Sequence, residues 1–124
     1  MELCMKFPAW YGIGVGFLMI VQWTFSILAG GVPEFASAPW EIAFHLAAEV
    51  STAMVMIIGG IAALRSIPGS KPVLLLGLGM VIYSEIVSPG YFAQLRQWTF
   101  VALFAVLLFG AVAAATQLLN GHGG

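Results

Sequence analysis

With 124 residues, 61% of them apolar and only 7% charged, the chain departs from a soluble domain, where about a quarter of the residues carry charge. It reads as an integral membrane protein. The net charge of −1 gives no footing for nucleic acid, and a single cysteine, Cys4, excludes an intrachain disulfide, a cysteine-built metal cage and redox chemistry that needs a cysteine pair.

Residues 1–6 are a short polar lead with Glu2 and Lys6, and an apolar run follows over about 7–29. That run is too long for the core of a secretory signal and lacks a small-residue cleavage site, so it predicts a retained transmembrane helix. Gly12, Gly14 and Gly16 stand near its start. No strand precedes them and their spacing is not that of a dinucleotide fingerprint, so they predict close packing against a neighbouring helix. Gln22, Trp23, Thr24 and Ser26 come later in the same helix.

Residues 30–38 read as a loop carrying Pro33 and Glu34, with Ser37 as the cap of a second helix over 39–64. Pro39 suits its first turn, and Glu41 faces the positive end of its dipole. Residues 65–71 form a tight basic loop containing Pro68 and Gly69. A third helix, 72–88, is ended or kinked by Ser88-Pro89-Gly90. At roughly 1.5 Å per residue it spans only about 24 Å, short for a bilayer, so tilt, local thinning or a kinked continuation must make up the difference. The fourth helix covers about 94–119, and a frayed tail holds His122, to which no role is assigned.

These elements predict an all-α, antiparallel four-helix transmembrane bundle forming one domain over 1–124. Lys6, Arg65 and Lys71 flank one side, with only Arg96 near the other. The excess of basic residues places both termini and the 65–71 loop in the cytoplasm, for a multi-pass chain expected in the cell (inner) membrane.

Topology converts position into depth. His45 and Glu49, one turn apart, share a helix face that Thr52 continues. Ionisable groups within a span cost roughly 2.5–3.5 kcal/mol and usually face a bundle interior. Counting along the helices puts Gln22 and Glu49 about 12–15 Å below the outer ends of their spans. Glu85 sits about one turn below the outer end of the third, and Arg96 and Gln97 near the outer start of the fourth. All four helices thus bring polar groups to the outer half, whereas the cytoplasmic half is apolar apart from Thr116 and Gln117. Glu85 with Arg96 also suits a structural ion pair at the surface. Trp10, Trp40, Tyr91 and Trp98 suit interfacial anchors, with Trp23 deeper. Glu49 is too deep for its short side chain to reach the surface, so it needs Arg96, His45 or Gln22 as a partner, or a proton.

One imidazole with carboxylates would suit iron, manganese or zinc, but the Glu-x-x-His repeat of carboxylate-bridged bundles is absent, and no metal site is assigned. No serine or cysteine has a convincing base. A proton-coupled carrier or channel could titrate Glu49, and would call for a homodimer or a larger membrane complex. A purely structural subunit would use His45–Glu49 only to fix helix register. An outward-facing slot for a lipophilic molecule such as a quinone fits the residue set best. Glu49 and His45 would anchor its head, supported by Gln22, Glu85, Arg96 and Thr52.

Ala48-Glu49, followed by Ile57-Ile58-Gly59-Gly60 and Ala63-Leu64-Arg65, resembles the second-helix pattern of DoxX-like proteins. Leu76-Gly77-Leu78-Gly79-Met80 and Phe104-Ala105-Val106-Leu107-Leu108-Phe109-Gly110 resemble that family's third and fourth helices, so that the likeness covers about residues 45–112. His45 and Ser88-Pro89-Gly90-Tyr91-Phe92 depart from the pattern. The resemblance implies a small prokaryotic membrane protein, in some members an accessory subunit linked to quinol or sulfur-compound oxidation, and carries over Glu49 alone.

Overall fold

The computed structural model describes residues 3–31 and 33–120; Glu2 and His122 lie outside them. Among the described residues the chain is helical, with no strand. The helices are α1 (Leu3–Leu28), α2 (Glu34–Ser37), α3 (Pro39–Leu64), α4 (Ser70–Val87), α5 (Pro89–Gln94) and α6 (Trp98–Asn120). Four segments are long and apolar enough to cross a membrane: Lys6–Leu28, Pro39–Leu64, Ser70–Gln94 and Trp98–Asn120.

The helix from Pro39 to Leu64 has the expected bounds, with Pro39 in its first turn and Glu41 near its N-terminus. Ser37 does not cap it. The capping position is Ala38, and the Ser37 hydroxyl instead bonds back to the Pro33 carbonyl at 3.4 Å, closing the one-turn helix α2. The third span is longer than expected at both ends. It begins at Ser70, ahead of Pro72, and Ser88 keeps a helical backbone (φ −62°, ψ −38°) that leads straight into α5 with Pro89 in the first turn. A helical continuation through Ser88 and Pro89 therefore supplies the missing length: 25 residues from Ser70 to Gln94.

Three helices end in one way. After α1, the Gly31 N–H reaches the Ser26 carbonyl and the Gly30 N–H the Ile27 carbonyl. Ile67 and Ser66 repeat this on Ala62 and Ala63, and Gln97 and Arg96 on Phe92 and Ala93. Each is the paired terminus that places one residue in the left-handed region. Glycine fills it at Gly30 (φ 70°), but Ser66 (φ 54°) and Arg96 (φ 59°) occupy it with a side chain.

α1 packs on α3 and α6, α3 on α4, and α4 on α6. The closest approach is α1 on α3. A Cβ placed on Gly60 would lie 2.6 Å from the Ala9 carbonyl oxygen, and one on Gly16 2.9 Å from that of Ala53. Gly12 and Gly16 therefore meet the expectation of tight packing, whereas Gly14, half a turn away from either, faces open space. The core gathers Met56, Leu74, Leu78, Val81 and Leu118 with Ala9, Ala63, Ala111 and Ala114. Its distribution is lopsided: the buried residues of α6 are confined to Ala111, Ala114 and Leu118, and only Ile42 and Glu49 are buried on α3 before Thr52. At the other end, Phe25, Leu28, Trp40, Phe44 and Trp98 project outward.

Candidate functional site

Two opposed pairs of residues define the site. On α3, His45 and Glu49 are four apart, and on α4 Ser84 and Ser88 are four apart, so each pair shares one face of its helix. Contacts between the helices run in opposite chain order, Gly59 against Leu74 and Gly77 against Met56, which brings Glu49 to Ser84. Between them lies a groove of about 640 Å³, within the roughly 300–1,000 Å³ of small-molecule sites. One end holds His45, Glu49, Ser84 and Ser88; the other is walled by Leu75, Leu76 and Met80, with Gly79 and Tyr83 between.

Glu49 is 8% exposed. Ser84 Oγ donates to its Oε1 at 2.8 Å. Because that uses the only Ser84 proton, the 3.4 Å contact between the two serine hydroxyls has Ser88 as donor. His45 Nε2 stands 3.7 Å from the same Oε1, and the imidazole is held edge-on by the Trp23 ring at 5.4 Å between centroids. Every buried side-chain oxygen and nitrogen among the described residues has a partner. Glu49 Oε2 has none among the described residues, so it is the oxygen left open. Thr52 lines the groove, but its hydroxyl returns to the Ala48 carbonyl at 2.8 Å and is spent within its own helix.

Glu85 belongs elsewhere. One residue further along α4 than Ser84, it is turned by about 100° about the helix axis onto the stripe of Leu74, Leu78 and Val81, and is 5% exposed. There the Tyr11 hydroxyl sits 3.3 and 3.4 Å from the two Glu85 oxygens and closer still to the Leu107 carbonyl, its single proton shared among them, tying α1, α4 and α6 together. Gln22 and Arg96 are exposed and outside the groove, with no side-chain hydrogen bond or ion pair among the described residues. Arg96 is placed by the turn after α5, not by a carboxylate. Of the six residues singled out from the sequence, the structure therefore gathers three, His45, Glu49 and Thr52.

Ser84 and Ser88 were not singled out, although their four-residue spacing opposite a buried acid is a readable signal. Tyr11 was also missed; its hydroxyl, within an apolar span, must find an acceptor.

The order of groups limits the chemistry. The carboxylate lies between the serine and the imidazole, so His45 has no serine to deprotonate, and the arrangement is not that of a nucleophilic triad. Among the described residues no group of three histidine, cysteine, aspartate or glutamate side chains is placed to hold a metal ion. What the site offers is an open carboxyl oxygen, an imidazole and a hydroxyl pair at the head of an apolar slot.

A family model described as a domain of unknown function (DUF8058) matches residues 2–123. No curated protein and no solved structure matches the chain.

Proposed function

We propose that this chain, which belongs to the DUF8058 family, binds a membrane-dissolved lipophilic small molecule in the groove between α3 and α4. The setting proposed is an antiparallel four-helix bundle in the prokaryotic inner membrane. Lys6, Arg65 and Lys71 support cytoplasmic termini and a cytoplasmic α3–α4 turn. The groove then opens toward the outer leaflet, and its exposed rim of Ala48, Leu76, Tyr83 and Val87 meets lipid.

The observation that carries this reading is the polarity of the groove along its length. Hydrogen-bonding atoms of His45, Glu49, Ser84 and Ser88 collect at one end and leucine and methionine at the other, the form complementary to a polar head on an apolar body. A quinone is one molecule of that form, in keeping with the resemblance of residues 45–112 to DoxX-like proteins.

The test is purification in mild detergent followed by extraction and mass analysis of what co-purifies, with Glu49→Gln and Leu76→Trp variants in parallel. A stoichiometric lipophile that is lost when Trp fills the slot is the expected result. Absence of any bound lipophile, together with no saturable uptake of added ones, defeats the proposal.

A further inference from the structure

Glu49 is the only carboxylate on the groove wall, and the wall has no lysine or arginine to answer it. Across α3 and α4 the sole basic side chain besides His45 is Lys71, in the first turn of α4 and beyond the apolar end of the groove. His45 is a cation only when protonated, stands outside hydrogen-bond distance at 3.7 Å, and its side chain is 43% exposed. Ser84 and Ser88 supply hydroxyls without charge. The site thus presents a buried acid with one oxygen occupied and one oxygen open, and the half-exposed His45 imidazole is the one basic group beside it.

The rest of the wall favours the same class of guest. Tyr83 offers a ring on the groove, and aromatic faces attract ammonium-type cations more strongly as water is removed. Met80 adds a polarisable thioether to the same wall. A quinone carbonyl can only accept hydrogen bonds, and an open carboxylate oxygen has none to donate. A positively charged head satisfies Glu49 in a way that an acceptor head cannot.

We infer that the groove selects lipophilic cations, molecules with a single delocalised or substituted positive centre on an apolar body, with Glu49 Oε2 as the counter-ion and Tyr83 as the ring beside it. This rests on the proposed function and narrows it: the ligand is defined by charge as well as by apolar bulk.

The experiment is equilibrium binding to the purified full chain in mild detergent, with three probes: tetraphenylphosphonium, its anionic isostere tetraphenylborate, and neutral decyl-ubiquinone. Saturable one-site binding of the phosphonium is expected, weakened about 100-fold in Glu49→Gln, which is about 2.7 kcal/mol, and about 3- to 10-fold in Tyr83→Leu. Comparing the two ions on the wild-type chain needs no variant, so the inference stays exposed to refutation even if a substitution fails to fold. Equal or tighter saturable binding of the borate, or phosphonium binding unchanged in folded Glu49→Gln, overturns cation selectivity. Decyl-ubiquinone binding without phosphonium binding overturns it too while sparing the groove. If none of the three binds, the groove reading and the inference fall together.

Discussion

The Tyr11–Glu85 contact allows a quantitative test of how the interior is held together. Glu85 is 5% exposed and its only side-chain hydrogen-bond partner among the described residues is the Tyr11 hydroxyl, which also serves the Leu107 carbonyl. Tyr11→Phe keeps the ring, and so its packing against Gly110, but leaves a buried acid without a partner. An orphaned buried polar group costs about 1–3 kcal/mol, whereas removing both partners together is nearly neutral. Tyr11→Phe is therefore expected to destabilise by about 1–3 kcal/mol. Glu85→Leu alone is expected to cost less, because Tyr11 still has Leu107, and the double variant should recover much of the loss. The coupling in the cycle should reach about 1–2 kcal/mol. Unfolding in mixed micelles by stepwise addition of a denaturing detergent, followed by helical circular dichroism, measures all four species. Strict additivity of the two single changes would show that the contact carries no energy and that α1, α4 and α6 are joined by packing alone.

Other expectations follow from single features. Gly60→Val pushes atoms into the Ala9 carbonyl and Ile13 and should cost about 1–3 kcal/mol, while Gly14→Val, with nothing within 4 Å, should leave the unfolding midpoint unmoved. Ser84→Ala removes the hydroxyl that serves buried Glu49 and should destabilise by about 1–3 kcal/mol, against under about 0.5 kcal/mol for Thr52→Val, whose hydroxyl only bonds its own helix. Ser66→Gly relieves a left-handed residue at the end of α3 (φ 54°) and should stabilise by about 0.5–1 kcal/mol in the same titration. In a Cys4→Ser background, a cysteine at Pro68 should be labelled by an impermeant reagent only from the cytoplasmic face and one at Phe35 only from the outer face. The reverse pattern would invert the proposed orientation.

Position along a helix was far easier to read from sequence than position around it. Proline, the basic turn and the lengths of the apolar runs set where helices start and stop, hence the agreement over 39–64. The same count put Glu49 and Glu85 in the same outer half of the bundle, and that alone suggested a single cluster. Rotation separates them: Ser84 and Glu85 are neighbours in sequence, yet one answers Glu49 in the groove and the other Tyr11 in the interior. A heptad-like series was there to be seen, since Leu74, Leu78, Val81 and Glu85 follow steps of four, three and four. It marks Glu85 as inward-facing without saying which helix lies opposite. That depends on which neighbours pack against α4, a long-range property that no window of sequence contains. Likewise Ser88-Pro89-Gly90 marked the end of α4, but the residues alone left open whether tilt, thinning or a helical continuation would supply the missing length.

The lopsided core has a mechanical side. Near the Arg65–Lys71 turn the helices are clamped backbone to backbone, with Gly60 on Ala9 and small residues of α6 closing the ring. At the opposite end Phe25, Leu28, Trp40, Phe44 and Trp98 are exposed and few residues are buried. Opening free energies follow burial, so the expectation is a clothes-peg: a stiff spring at one end and, at the other, two jaws that part first. The groove lies along α3 and α4, with its apolar end toward the spring and Glu49 and His45 toward the jaws. In the proposed binding role, a guest would enter by parting the jaws sideways while the sprung end holds the four spans in register.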